Sequence, residues 1–402
     1  MRRWSFIFFG MLAMIMAGCS DVVAPVGSVN PDNVADYEVD YDVPVEFGYG
    51  GMTKAPVTTE TLTIDKNFGL FSVEKGVTDL RNRDALNFRN KIIKYDPGFG
   101  FRFGSYASET VFYPRKSTKE YQFYAYYAHR NDSLIKPQIW DKGVVETGRE
   151  RKVRFYSYAT KDMISATLGT HNGDVLWSKA VSEDGLYDSF NASIAVAGHK
   201  PHFVFRHATA CLYFKIKMKE PVSRPMDGYY FSVDWLRILN SPCQADMWLI
   251  NLDDPTKEGA FDPDSFVLGQ EGVAVDNNLV PYPGLRSVTG GYNVSQTIKP
   301  DEFDFDGPLG AGYMFVVPQE EPLLCRIKMS RWKDGKSSGA FYYEFYLDPS
   351  EYNPALTSAH EAGMRYHYTI NVDWTSAGTF NGSTGPVVVG SRAVDPKSLS
   401  WK

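Results

Sequence analysis

The chain has 402 residues, of which 42 are basic and 48 acidic, giving a net charge of −6 at pH 7. That length accommodates two domains or three, and the acidic balance argues against nucleic acid and anionic membrane surfaces as partners. With 25 Tyr, 26 Phe, 34 Gly and 23 Pro, aromatic stretches broken by Gly and Pro favour sheet over helix.

Arg2 and Arg3 precede an apolar run from Trp4 that ends in Met16-Ala17-Gly18-Cys19. A basic start, fewer than ~15 apolar residues and small residues before a cysteine describe a secretory signal over residues 1–18. A membrane-spanning helix would need ~20. Cys19 sits as the cysteine of a bacterial lipobox does, where it becomes the lipidated first residue; Met16 stands where Leu is commoner. The alternative is ordinary signal cleavage with an incidental cysteine. The expectation is an exported chain held to a membrane by acyl chains, its working part in water. Loss of the signal removes two arginines and leaves 40 basic against 48 acidic residues, or −8.

Residues 19–42 read as a lipidated tether. Pro, Gly, Ser and Asn lack periodicity there, and Asp32, Asp36, Glu38, Asp40 and Asp42 form a one-sign run expected on a solvated face. Val43, Val45, Phe47 and Tyr49 then share one face, opposite Pro44, Glu46 and Gly48. This is the pattern of a half-buried strand, placed at an edge or a strand's start by Pro44. Gly50-Gly51-Met52-Thr53-Lys54 follows, and Lys54 is the first basic residue after Cys19.

Period-two runs predict strands over 68–73, 121–128, 153–158 and 203–218. In the last, Ala208, Ala210, Leu212, Phe214, Ile216 and Met218 are expected inward, and His207, Thr209, Tyr213, Lys215 and Lys217 outward. A Pro-rich break over 220–225 marks a domain boundary, giving domains over 43–220 and 226–402. The second half predicts strands over 229–239, 244–250, 292–298, 313–317, 323–332, 341–347 and 365–374, with a helical turn within 349–361. About seven strands per half suggest an all-β chain of two antiparallel sandwiches. Thr375 to Lys402 is Gly/Ser/Thr-rich; Val387-Val388-Val389 predicts a loose terminal strand, with donation to a second subunit as the alternative.

Chemistry is sparse. Gly335-Lys336-Ser337-Ser338-Gly339 matches G-x-S-x-G, which works only at a strained strand-to-helix turn. Here it lies between two predicted strands, so Asp334-Gly335 reads as a hairpin turn. Glu302, Asp304 and Asp306 partly imitate a calcium loop, but Tyr313 stands where a bidentate Glu belongs. His199, His202 and His207 have no Asp or Cys spaced to complete a zinc site. No metal, cofactor or catalytic residue is expected. Cys211, Cys243 and Cys325 are too few and odd in number for a disulfide framework. Cys325 alternates with Leu323, Ile327 and Met329, which predicts a buried thiol; a disulfide between two of the three cysteines is the alternative.

Several segments, in order, resemble the fimbrillin family of Bacteroidales, the type V pilus subunits of the Mfa-like branch. They are the lipobox at Cys19, the first strand with Thr53-Lys54-Ala55, and Phe68-Gly69-Leu70-Phe71. Tyr113-Pro114 before Tyr121–Tyr126, Asp162–Ala166, Val204–Ala210, Met314–Gln319 and Ala362–Ile370 continue the series. The resemblance implies two tandem transthyretin-like β-sandwich domains, lipoprotein export to the outer membrane, and assembly into fimbriae with other fimbrillin subunits. In polymerising members a protease removes the first strand after an arginine, and a strand from another subunit fills the vacated groove. Carried over here, the exchangeable strand is Val43, Val45, Phe47 and Tyr49, and the processing site is Lys54. Lys54 departs from the usual Arg. Either a Lys-accepting protease acts there, or the first strand is retained and the chain serves as cap, anchor or tip; the plainer alternative is the first strand of an unprocessed sandwich. A host or bacterial surface ligand completes the expected partners. The second functional expectation is a monomeric surface lipoprotein that binds a carbohydrate or host protein through Trp140, Trp177, Trp235, Trp248 or Trp332.

Overall fold

The computed structural model describes residues 31–52, 67–96, 100–103, 110–127, 139–157, 175–218, 229–268, 313–333, 336–352, 354–380 and 383–393. The strands of the first half are β1 (Gly48–Met52), β2 (Asn67–Glu74), β3 (Arg89–Asp96), β4 (Gly100–Phe103), β5 (Tyr121–Tyr127), β6 (Ile139–Glu146), β7 (Glu150–Ser157), β8 (Leu176–Lys179), β9 (His202–His207) and β10 (Ala210–Met218). Those of the second are β11 (Tyr229–Ile238), β12 (Pro242–Asn251), β13 (Phe261–Leu268), β14 (Tyr313–Val316), β15 (Leu323–Lys333), β16 (Lys336–Leu347), β17 (Arg365–Phe380) and β18 (Ser383–Ala393). The two α-helices among the described residues, α1 (Ala192–Val196) and α2 (Pro349–Tyr352), are single turns. The chain is all-β, as composition and alternation predict. Among the described residues no helix is long and apolar enough to cross a membrane.

Four sheets form. The largest has seven strands in the order β1-β9-β8-β5-β2-β3-β4. The others are β14-β10-β17-β18, β11-β15-β16 and β13-β12-β7-β6. Among the described strands, pairing is antiparallel except for β1 with β9 and β10 with β17. Pro263 sits in β13, at a sheet edge where a missing N–H breaks no ladder.

The seven-stranded sheet is covered on both faces, which the simple alternation of β2 and β5 conceals. Phe68 and Leu70 of β2 and Phe123, Ala125 and Tyr127 of β5 enter one core. Phe71, Val73, Tyr124 and Tyr126, between them, enter a second core with Val153, Phe155, Met247 and Leu249. Hence β2 is buried along nearly its whole length. The second core also holds Ala210, Leu212, Val316, Leu323 and Tyr368, so it is built from both halves of the chain. Likewise β7 pairs with β12 over Gln244–Tyr156 to Asn251–Glu150. The boundary expected over 220–225 lies outside the described residues, and strands on either side of it share this sheet.

The run expected as one strand over 203–218 is divided at Ala208-Thr209. There the chain leaves the seven-stranded sheet as β9 and joins β14 and β17 as β10. Ala208 N–H donates to the Val175 carbonyl (2.7 Å) and Gly363 N–H to the Thr209 carbonyl (2.9 Å), tying the crossing point on both sides. His207 and Thr209, expected outward, are therefore buried. Ser337 of the G-x-S-x-G match lies inside β16, paired with Trp332 of β15, and Lys333 pairs with Lys336. That is a hairpin, not the strand-to-helix turn a nucleophile needs. Residues 292–298, and residues 302–306 of the calcium-like run, lie outside the described residues. Cys325 is a buried free thiol whose pKa is raised by burial. The terminal segment pairs as β18 along β17.

Candidate functional site

The first strand closes the seven-stranded sheet. β1 pairs with β9 at one edge, Gly48 with His202 and Tyr49 with Phe203. One residue earlier, Phe47 bridges Phe101 of β4, which is the opposite edge. Before that, the chain runs antiparallel to 110–116. Val45 N–H donates to the Val111 carbonyl (2.7 Å), Tyr113 N–H to Val43 (2.9 Å) and Lys116 N–H to Val39 (2.8 Å). Residues 39–52 thus act as a stave, holding β9 on one side and β4 with 110–116 on the other.

Its side chains alternate as the sequence predicts. Val43, Val45 and Phe47 are 6%, 4% and 3% exposed, whereas Glu46 is exposed and Pro44 half-buried. Phe47 is the anchor. Its ring lies 5.1 Å from Phe123 and 5.8 Å from Phe103, both edge-on, and stacks on Phe203 at 5.2 Å. Edge-to-face and offset aromatic pairs at such distances add to plain burial. Tyr113 belongs to the same core, 6.4 Å from Phe123; its buried hydroxyl has no partner, and burial raises its pKa. At Gly48 the stave passes the His202 ring so closely that a Cβ would sit 2.4 Å from it, and a larger residue would have to displace that ring. The side chain of Tyr49, Cys19 and Lys54 all lie outside the described residues.

The stave begins earlier than the sequence suggests. The last twelve residues of the expected tether are tied into the fold at Val34 and Val39, opening with a 3-10 helix over Pro31–Asp36. Val34 and Val39 are buried. Asn191, the N-cap of α1, donates from Nδ2 to the Ala35 carbonyl (2.9 Å), and Ser193 Oγ donates to that of Val34. The acidic residues between them do face solvent, but several are paired. Asp40 meets Lys116 (2.9 Å), Asp42 meets Arg115 (2.7 Å), and Glu46 meets Lys200. The Arg115 guanidinium holds the Asp42 carboxyl below its ordinary value. Exposed pairs of this kind add little stability. Their effect is register: the acidic rim meets bases on both neighbours of the stave. The sequence signal for this is the recurrence of Val34 and Val39 inside an otherwise polar run.

Transfer arithmetic gives the scale. Five buried apolar side chains, Val34, Val39, Val43, Val45 and Phe47, at ~1.5–3 kcal/mol each sum to roughly 8–15 kcal/mol as an upper bound. Net domain stability is itself only ~5–15 kcal/mol. Removing the stave would expose an aromatic furrow between two sheet edges with unpaired backbone groups on both.

The other residues singled out in the sequence do not converge. His199 pairs with Asp184 (3.0 Å), His202 faces Gly48, and His207 is buried at the strand crossing. Among the described residues no group of three or more His, Cys, Asp or Glu is arranged to hold a metal. Trp248 is 8% exposed and Trp177 is half-buried against Gly259. Both are packing residues; the side chains of Trp140, Trp235 and Trp332 are outside the described set.

No family model and no curated protein matches the chain. Solved structures to which it is similar include a fimbrial protein from Bacteroides vulgatus ATCC 8482, at 11% identity and a TM-score of 0.47. The match covers 88% of this chain and 99% of that one. A proposed cell adhesion protein from Bacteroides uniformis ATCC 8492 is 15% identical with a TM-score of 0.44, covering 90% and 98%. Another from Bacteroides ovatus ATCC 8483 is 14% identical with a TM-score of 0.41, covering 88% and 98%. These are likenesses and carry no argument about this chain's activity.

Proposed function

We propose that this chain is a structural or adhesive subunit of a cell-surface fimbria, joined to like subunits by β-strand complementation. The observation that carries the reading is the stave. A single amino-terminal segment closes both edges of the seven-stranded sheet through alternating buried side chains, and Lys54 follows it two residues after β1. A sheet stripped of one strand offers backbone donors, acceptors and a hydrophobic furrow, which an alternating donor strand satisfies. The sequence resemblance to fimbrillins supports the same reading. Export would place the chain at the outer membrane as a lipoprotein anchored at Cys19, and cleavage after Lys54 would release the stave. The work is cohesion, with no catalytic step.

Amino-terminal sequencing of subunits taken from surface fibres tests this. Fibre subunits should begin at Ala55, and chains still starting at Cys19 in assembled fibres would overturn the cleavage step. Val45→Asp, which puts a carboxylate into the furrow, should leave the stave poorly seated and assembly lost.

A further inference from the structure

The outward face of the stave is charged, and the charge is matched on both sides. Asp40, Asp42 and Glu46 share the parity of Pro44 and alternate with the buried Val43, Val45 and Phe47. Asp42 meets Arg115 (2.7 Å) and Asp40 meets Lys116 (2.9 Å), on the segment along one side of the stave. Glu46 meets Lys200, two residues before β9 on the other side. All six side chains are more than half exposed, so the pairs stand in solvent.

Departure of the stave would leave the three bases behind. Residues 19–54 carry seven acidic residues and one lysine, so cleavage after Lys54 removes six net negative charges. Arg115, Lys116 and Lys200 stay with the acceptor, on the two rims of one furrow. An incoming strand without carboxylates on its outward face leaves them unmatched, and one with lysines there is repelled. Electrostatic complementarity of this kind selects among partners and speeds encounter more than it deepens affinity. The terminal strand of this chain does not meet the requirement: Ser383–Ala393 has no Asp or Glu, and it has Arg392.

Building on the complementation reading, we propose that the furrow takes a strand from a different subunit, one that repeats the stave's charge pattern. That donor has carboxylates at the positions of Asp40, Asp42 and Glu46, and apolar residues at those of Val43, Val45 and Phe47. At the position of Gly48, beside the His202 ring, it has a small residue. A second copy of this chain, offering residues 383–393, is the poorer donor.

Displacement of the stave in the full mature chain tests it. A site-specific protease sequence in place of residues 53–56 lets the chain be cut after the stave, which then stays seated without a covalent bond. Fluorescein-labelled peptides compete for its place, with anisotropy as the readout. One copies residues 38–49, the second carries Asp40→Asn, Asp42→Asn and Glu46→Gln, and the third copies residues 383–393. At low salt the acidic copy should bind about tenfold more tightly than the neutral one, which corresponds to ~1.4 kcal/mol spread over three exposed pairs. The gap should narrow at high salt, and the 383–393 peptide should bind more weakly than the acidic copy. Arg115→Gln with Lys200→Gln, both at exposed positions, should erase the preference while the neutral copy binds as before. Equal binding of the acidic and neutral copies, or a preference that survives the double substitution, overturns the charge rule and leaves complementation standing. A 383–393 peptide that binds as tightly as the acidic copy makes a second copy of this chain the occupant and overturns it too. Uptake of none of the three overturns complementation itself, and this proposal with it.

Discussion

Phe47→Ala puts the stave to a quantitative test. The ring is 3% exposed and sits among Phe103, Phe123 and Phe203 at 5.1–5.8 Å between centroids. These neighbours belong to three different strands of one sheet, so they cannot collapse together onto the vacated space. Truncating a buried Phe to Ala costs ~3–5 kcal/mol, the upper part applying where the cavity stays open. The natural control is one residue away: Glu46 is exposed, and Glu46→Ala should change stability by less than ~0.5 kcal/mol. The assay is urea unfolding of the unprocessed chain followed by tyrosine and tryptophan fluorescence. The two midpoints should separate widely, with Phe47→Ala far lower. A Phe47→Ala cost below ~1 kcal/mol, or one equal to that of Glu46→Ala, would refute the claim that this segment is integral to the core.

Two further perturbations probe the contact between the β12–β13 turn and the seven-stranded sheet. Burial pushes Glu258 up to about 7, against the Asn251 N–H, Lys179 and Tyr124, which favour its ionised form. Its folded value lies above its unfolded one, so its stabilising contribution is complete below about pH 4.5 and is lost as pH rises through 7. Between pH 5 and 8 the wild-type urea midpoint should therefore fall more than that of Glu258→Gln; identical pH slopes would remove Glu258 from the account. Gly259 has φ +85° and a Cβ there would lie 1.8 Å from the Trp177 ring. Gly259→Ala should cost at least ~1–3 kcal/mol and raise Trp177 exposure to quenchers; unchanged quenching with full stability would show that this contact does not form.

Much of the fold was readable because burial is periodic. Val43, Val45 and Phe47 alternate with Glu46, and alternation of residue type marks the runs 121–128, 323–332 and 365–374, where β5, β15 and β17 form; β17 continues to Phe380. What stayed hidden has physical causes. β3 has only Ile92 and Ile93 as an adjacent apolar pair, and β4 and β8 have four residues each, too few to show a period. At Ala208-Thr209 the alternation changes phase, with Phe203, Phe205 and His207 buried before it and Ala210 and Leu212 after it, and a single run read through 203–218 passes over that shift. The two-faced burial of β2 and β5 depends on strands far along the chain, and local sequence does not report it. Val34 and Val39 were masked by the acidic residues around them, whose solvent exposure was correctly anticipated. Arg151 gave no signal in the sequence. It stands among three consecutive charges, Glu150-Arg151-Lys152, on the same parity as the buried Val153 and Phe155, and only the fold shows the loop that buries it.

A reversible lock on the stave tests the central claim most directly. Pro44 and Phe112 face each other as a non-hydrogen-bonded antiparallel pair, flanked by the Val45–Val111 and Val43–Tyr113 hydrogen bonds. Such pairs bring Cα atoms to about 4.5 Å, within disulfide reach. Pro44→Cys with Phe112→Cys, oxidised before assembly, should hold the first strand in its own groove. Fibre ladders should then be absent and should return on reduction. Ladders of normal length formed by the oxidised chain, with its disulfide intact, would contradict the account.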